Sequence, residues 1–110
     1  DQQGSPTFTR DLSSAIRDLL PSREKGIFHV TNSASCTWYE FAKEILAQKG
    51  ISSIKVHSIS TDVLGRPAKR PAFSILDNSR YEKLTGKKMR SWREGLRDYF
   101  QSRSEGEKTA

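Results

Sequence analysis

Anion binding is the chemistry this sequence is best equipped for. Residues 66–103 hold 11 lysines and arginines against 4 acids, a local charge of +7; the whole chain of 110 residues carries +6, so the remainder sums to −1. A basic half of this kind attracts polyanions or nucleotide phosphates. Within it Arg66, Lys69 and Arg70 stand close together, with Pro71 directly after. A guanidinium is a rigid planar fork that pairs two oxygens at once, and a neighbouring proline fixes the backbone and lowers the cost of ordering it. The other reading of the cluster is solvation of a loop, the ordinary role of surface charge. Nucleic-acid binding would need aromatic rings exposed among these charges. Here Trp92, Tyr99 and Phe100 follow an apolar helical stripe instead, so nucleic acid is not an expected partner.

Other chemistries lack their partners. His29 and His57 fall in separate predicted strands, with no second histidine or cysteine at metal-ligand spacing, and no metal is expected. Cys36 precedes a helix start, where the dipole favours a thiolate, yet no histidine is placed to activate it and it reads as an ordinary loop residue. Trp38, Trp92 and Tyr99 have faces on which a base could stack, but their helical spacing assigns them to packing. A dinucleotide needs a glycine-rich turn whose N–H groups meet the pyrophosphate at a helix N-terminus. Gly4 stands alone and Gly26, Gly50, Gly65 and Gly86 are scattered at element ends, so no cofactor is expected on this chain.

The elements that must position these residues are short. Leu12, Ala15, Ile16, Leu19 and Leu20 recur at helical spacing, predicting a helix over residues 9–20, capped by Thr7 or Thr9 and stopped by Pro21. Ile27, Phe28, His29 and Val30 predict a strand. Thr37 and Glu40 have the spacing of a capping box, opening a helix over 38–48 whose stripe is Trp38, Phe41, Ile45 and Leu46, with Gly50 as its stop. Residues 54–59 alternate with period two and predict a half-buried strand, and 64–71 an extended loop. A short strand is expected over 72–76. A brief helix capped by Asp77 or Asn78 and ended by Gly86 follows, then a helix opened by Ser91 and Glu94.

Composition bounds the rest. The length suits one small domain with one core. A hydrophobic share of 34% and a mean hydropathy of −0.72 are low for a self-sufficient globule, as in a piece whose apolar faces expect a partner. No apolar run approaches a membrane span and none has the form of a signal peptide. The single Cys36 suits a reducing cytoplasm. The first residue is Asp1 rather than methionine, which reads as a processing or cloning boundary.

The opening Asp1, Gln2, Gln3, Gly4, Ser5, Pro6, Thr7, the run Trp38, Tyr39, Glu40, Phe41, Ala42, and Arg70-Pro71 with Ser74, Leu76 and Asp77 beyond it resemble one family. It is the dTDP-4-dehydrorhamnose reductase family, extended short-chain dehydrogenases/reductases that reduce a 4-keto nucleotide sugar with a nicotinamide cofactor. The resemblance reaches from Asp1 to the region of Phe100. It implies a mixed α/β chain, the C-terminal substrate-side portion of an NAD(P)-binding Rossmann-type reductase, with about four helices and a few short strands. Residues 1–102 would be the substrate-binding portion and 103–110 a disordered tail. Arg70 would reach the diphosphate of a dTDP-sugar. Thr7, in a loop near the substrate cleft, would donate to a sugar or phosphate oxygen, although it equally suits a cap.

The family also uses a tyrosine followed four residues later by a lysine, which lowers the phenol pKa so that it protonates the substrate oxygen. Tyr39 and Lys43 have that spacing, but their surroundings resemble a different, C-terminal helix of the family. Tyr39 is therefore read as structural and no catalytic residue is assigned. The resemblance implies NAD(P)H in a full-length parent, acting in dTDP-L-rhamnose biosynthesis, with this chain inactive alone. The expected partners are a dTDP-sugar and the N-terminal Rossmann portion, whose parallel sheet residues 27–30 would join at its edge. A second copy of the chain pairing at that edge, a homo-oligomer, is also expected. The competing reading is a non-catalytic regulatory or binding module similar to the methionine adenosyltransferase regulatory subunit.

Overall fold

Helices form where apolar residues recur at helical spacing, and a proline or glycine closes most of them. The computed structural model describes the backbone of residues 1–109 and the side chains as far as Arg103. Helix α1 (Thr9–Leu19) passes into a 3-10 turn at Leu20–Ser22, where Pro21 lacks the N–H to continue the ladder. Its N-cap is Phe8, without a side-chain bond, rather than the expected Thr7 or Thr9. Helix α2 (Trp38–Lys49) has the predicted capping box, with Glu40 N–H donating to Thr37 Oγ1 at 3.1 Å and Thr37 N–H to Glu40 Oε1 at 3.3 Å. Helix α3 (Thr61–Leu64) is one turn capped by Ser60, and was not anticipated. Helix α4 (Ser79–Thr85) ends at Gly86 as expected.

Helix α5 (Trp92–Thr109) continues through residues 103–109, where a disordered tail is expected. No proline interrupts it, and a nucleated helix propagates at little cost per residue. Ala110 lies outside the described residues. The chain is thus mixed α/β as anticipated, with five helices and a two-stranded sheet among the described residues.

The expected strands over 27–30 and 54–59 do not form. A strand requires a neighbour to take its N–H and C=O groups, and neither segment has one among the described residues. Side chains take that role at the first. Asn78 accepts from the Thr31 N–H at 3.0 Å and donates to the Thr31 carbonyl at 2.7 Å, as an adjacent strand would. This is why Asn78, at the N-cap position of α4, makes no capping bond. Arg80 donates to the carbonyls of Ile27 (3.0 Å) and Lys25 (2.8 Å) and lies over the Phe28 ring at 4.2 Å.

The strands that do form are β1 (Gln3–Gly4) and β2 (Cys36–Thr37), antiparallel with Gln3 opposite Thr37 and Gly4 opposite Cys36. On its other side Gln3 bridges Phe73 in parallel, through Gln3 N–H to Ala72 O at 2.8 Å and Ser74 N–H to Gln3 O at 3.0 Å. The strand expected over 72–76 is reduced to this bridge.

Packing sets α1 against α4 and α2 against α5. Ala15, Tyr81 and Trp92 are core side chains, and the buried polar one is Asn32, 1% exposed. Asn32 Oδ1 accepts from Phe8 N–H at 2.7 Å, while its Nδ2 donates to Asp11 Oδ2 at 2.9 Å and to Arg90 O at 3.3 Å. Arg90 closes the network, with Nε 3.0 Å from Asp11 Oδ2 and Nη2 2.7 Å from Asp98 Oδ2. Gly95 lets α5 approach this hub, since a Cβ there would stand 3.2 Å from Asn32 Oδ1. The radius of gyration is 16.6 Å, against about 13 Å for a compact domain of this length. Exposed Ile16, Leu20, Ile27 and Val63 agree with that openness.

Candidate functional site

A cleft lies where β1 runs between β2 and the Phe73 bridge, beside a second of about 940 Å³ that shares Gln2, Thr37, Trp38 and Arg66 with it. The volume of the first is about 600 Å³, and Gln3 and Gly4 of β1 line it. Gly4 lies close to the Phe73 bridge, where an added Cβ would sit 3.2 Å from Ser74 Oγ. Trp38, the first residue of α2, contributes an aromatic surface, and Arg66 and Arg70 contribute charge.

Arg66 and Arg70 lack the ion pairs of Arg10, Arg90 and Arg93, as do Arg17, Arg23 and Arg97 among the described residues. Arg90 is held by Asp11 and Asp98, Arg93 faces Glu44 at 3.9 Å, and Arg10 faces Asp98 at 4.0 Å. Arg66 and Arg70 have no hydrogen bond or ion pair among the described residues. Two exposed guanidinium groups without acidic partners can receive an anion, and their fork geometry suits a phosphate. Arg70 lines this cleft together with Arg66 from the same basic cluster.

Thr7 is placed differently. Its Oγ1 donates to Ser5 O at 3.0 Å and accepts from Asn32 N–H at 3.2 Å, and it does not line the cleft, although Ser5 and Pro6 do. Its hydroxyl ties the opening loop to the Asn32 hub. Trp38 was assigned to packing by periodicity and stands 68% exposed in the cleft, whereas Trp92 is 2% exposed. Helical spacing marks a face but does not say which end of it projects beyond the core.

Lys43 Nζ sits over the Tyr39 ring, 5.2 Å from its centroid, a cation–π contact within one helix. Cys36 is buried, and burial first, then the charge of Glu40, push its thiol pKa up against the opposing pull of Arg93. That is the reverse of an activated nucleophile. Among the described residues no group of three His, Cys, Asp or Glu could hold a metal ion. Gly50, Gly65 and Gly86 cap the ends of α2, α3 and α4 in the left-handed region. No helix among the described residues is long and apolar enough to cross a membrane.

Comparison with known proteins gives one answer. Residues 1–104 match the family model described as RmlD substrate binding domain. The chain is 44% identical over 104 residues to the spore coat polysaccharide biosynthesis protein SpsK of Bacillus subtilis, covering 94% of this chain and 36% of that one. It is 34% identical to a dTDP-4-dehydrorhamnose reductase of Streptomyces griseus, over 91% of this chain and 34% of that one. The fold superimposes with a TM-score of 0.85 on a dTDP-4-dehydrorhamnose reductase of Bacillus anthracis solved in complex with NADP, at 38% identity, covering 92% of this chain and 36% of that one. The chain therefore spans about a third of the length of these relatives. With a match over nearly its whole length, the chain belongs to the RmlD substrate-binding-domain family.

Proposed function

We propose that this chain is the nucleotide-sugar-binding part of a reductase similar to dTDP-4-dehydrorhamnose reductase, and that Arg70 pairs the diphosphate of a dTDP-sugar in the β1 cleft. One observation carries the reading. Arg66 and Arg70 face a cleft of about 600 Å³ without an acidic partner among the described residues, beside an exposed tryptophan. Uncompensated arginines in a concave site are expected where an anionic ligand supplies the missing charge.

Reduction itself requires the rest of a parent enzyme. The NAD(P)H cofactor and the proton donor belong to an N-terminal Rossmann portion, and residues 1–102 present the sugar nucleotide to it. Thr7 serves the site from behind, holding the loop of Ser5 and Pro6 against Asn32. The parent acts in the cytoplasm on a 4-keto-6-deoxy nucleotide sugar of rhamnose biosynthesis, and this chain alone does not turn over. Two assays test this. Calorimetric titration with dTDP should show saturable binding, and cofactor oxidation with dTDP-4-dehydrorhamnose should be absent for the isolated chain. Binding absent, or turnover present, would overturn the corresponding part.

A further inference from the structure

We propose that the open face of the Trp38 indole is the platform on which the base of a nucleoside diphosphate stacks while Arg66 and Arg70 hold its phosphates; this rests on the nucleotide reading of the cleft. The position of Trp38 on the backbone is set by its neighbours. Trp38 follows Thr37, whose backbone is pinned to Gln3 by strand pairing and whose side chain closes the capping box of α2. One aromatic contact orients the ring, an edge-to-face approach to Phe41 at 6.1 Å and 67° between planes, and Phe41 rests in turn on Trp92 at 5.7 Å.

Trp38 combines an uncovered ring with a place in the cleft; Phe73, Tyr81 and Tyr99 also lack a cation among the described residues but do not line the cleft, and Phe41 does but is less exposed. The rings of Phe8, Tyr39, Phe28, Phe100 and Trp92 each carry an arginine or lysine over a face. No such cation lies over Trp38 among the described residues, and the side chain remains 68% exposed. An exposed aromatic surface at one side of a cleft, with two guanidinium groups also lining it, matches a ligand that carries a planar base and a diphosphate joined by a sugar. Stacking tolerates different bases, because every base has a π-face, so the platform strengthens binding without selecting thymine by itself.

The test compares dTDP with inorganic pyrophosphate on the 110-residue chain, followed by calorimetry and tryptophan fluorescence. The proposal expects dTDP to bind more tightly than pyrophosphate and to quench Trp38, since Trp92 is enclosed. Trp38→Ala should weaken dTDP by roughly 5- to 150-fold and leave pyrophosphate unchanged, and Trp38→Phe should keep most of the dTDP affinity. If Trp38→Ala retains the preference for dTDP, the stacking role is overturned and the phosphate reading stands. If the parent chain binds neither compound, both fall. Should Trp38→Ala lose pyrophosphate as well, through damage to the cleft, Trp38→Phe decides: dTDP affinity within about threefold of the parent chain supports a ring platform, and a loss as large as that of alanine overturns it.

Discussion

Replacing Asn32 with alanine withdraws three hydrogen bonds from the polar hub: the acceptor for Phe8 N–H at 2.7 Å, the donor to Asp11 at 2.9 Å, and the donor to Arg90 O at 3.3 Å. An ordinary buried hydrogen bond contributes about 1 kcal/mol net, and one to a charged group about 1.5 to 3 kcal/mol. The bond to Arg90 O is long, and Asp11 keeps its pairing with Arg90, so the expected loss is about 2 to 4 kcal/mol. Unfolding a chain of 110 residues releases roughly 0.23 kcal/mol per degree of entropy, which converts that loss into a fall in Tm of about 9 to 17 °C. Asn32→Asp should do no better at neutral pH, because it keeps the acceptor but turns a second carboxylate toward Asp11. Ser13→Ala is the control, since Ser13 is exposed and bonds only the Thr9 carbonyl of its own helix. Thermal unfolding by circular dichroism measures all three. An Asn32→Ala variant that melts within about 2 °C of the parent chain would refute the hub as the joint between α1, the residue 31–34 loop and α5.

Two further outcomes follow from the charged and buried groups. Hydrogen bonding to Arg90 holds the Asp98 carboxyl below its usual range, so this pair stabilises the fold above the ordinary aspartate pKa and ceases to as pH falls below about 4. Denaturant titrations from pH 6 to pH 3 should show that loss in the parent chain and a flatter acid limb in Asp98→Asn; equal acid limbs would contradict it, and the difference should shrink in high salt because the carboxylate is partly exposed. The raised thiol pKa and burial of Cys36 predict that a disulfide reagent at pH 8 modifies it at least about tenfold more slowly in the native chain than in urea, and fast native labelling would be the contrary result.

Local chemistry made part of this molecule legible in its sequence. The Thr37 and Glu40 box, the Pro21 stop and the Gly86 stop depend on residues a few positions apart, and the structure has each. Residues 27–30 and 54–59 have strand-forming sequences yet remain unpaired, because a strand depends on a neighbour that periodicity cannot supply. Asn32 carries no signature at all, since a lone asparagine in a loop acquires its role from Phe8, Asp11 and Arg90, which lie 21 to 58 residues away. The cleft was half legible. Arg70 came from the resemblance and the basic cluster, whereas Trp38 was misassigned to packing, and the loss of Thr7 from the cleft follows from its bonds to Ser5 and Asn32.

The central claim is that Arg70 holds a nucleotide diphosphate, and calorimetric titration of dTDP into the parent chain and Arg70→Ala tests it most directly. Arg70 is exposed and has no internal partner among the described residues, so its removal should leave Tm within about 2 °C. Loss of a charge-assisted bidentate pair, about 1.5 to 3 kcal/mol, should weaken dTDP by roughly 10- to 150-fold, with Arg70→Lys recovering only part because an ammonium keeps the charge and loses the fork. Undiminished dTDP affinity in a folded Arg70→Ala chain would contradict the account and return the cluster of Arg66, Lys69 and Arg70 to loop solvation.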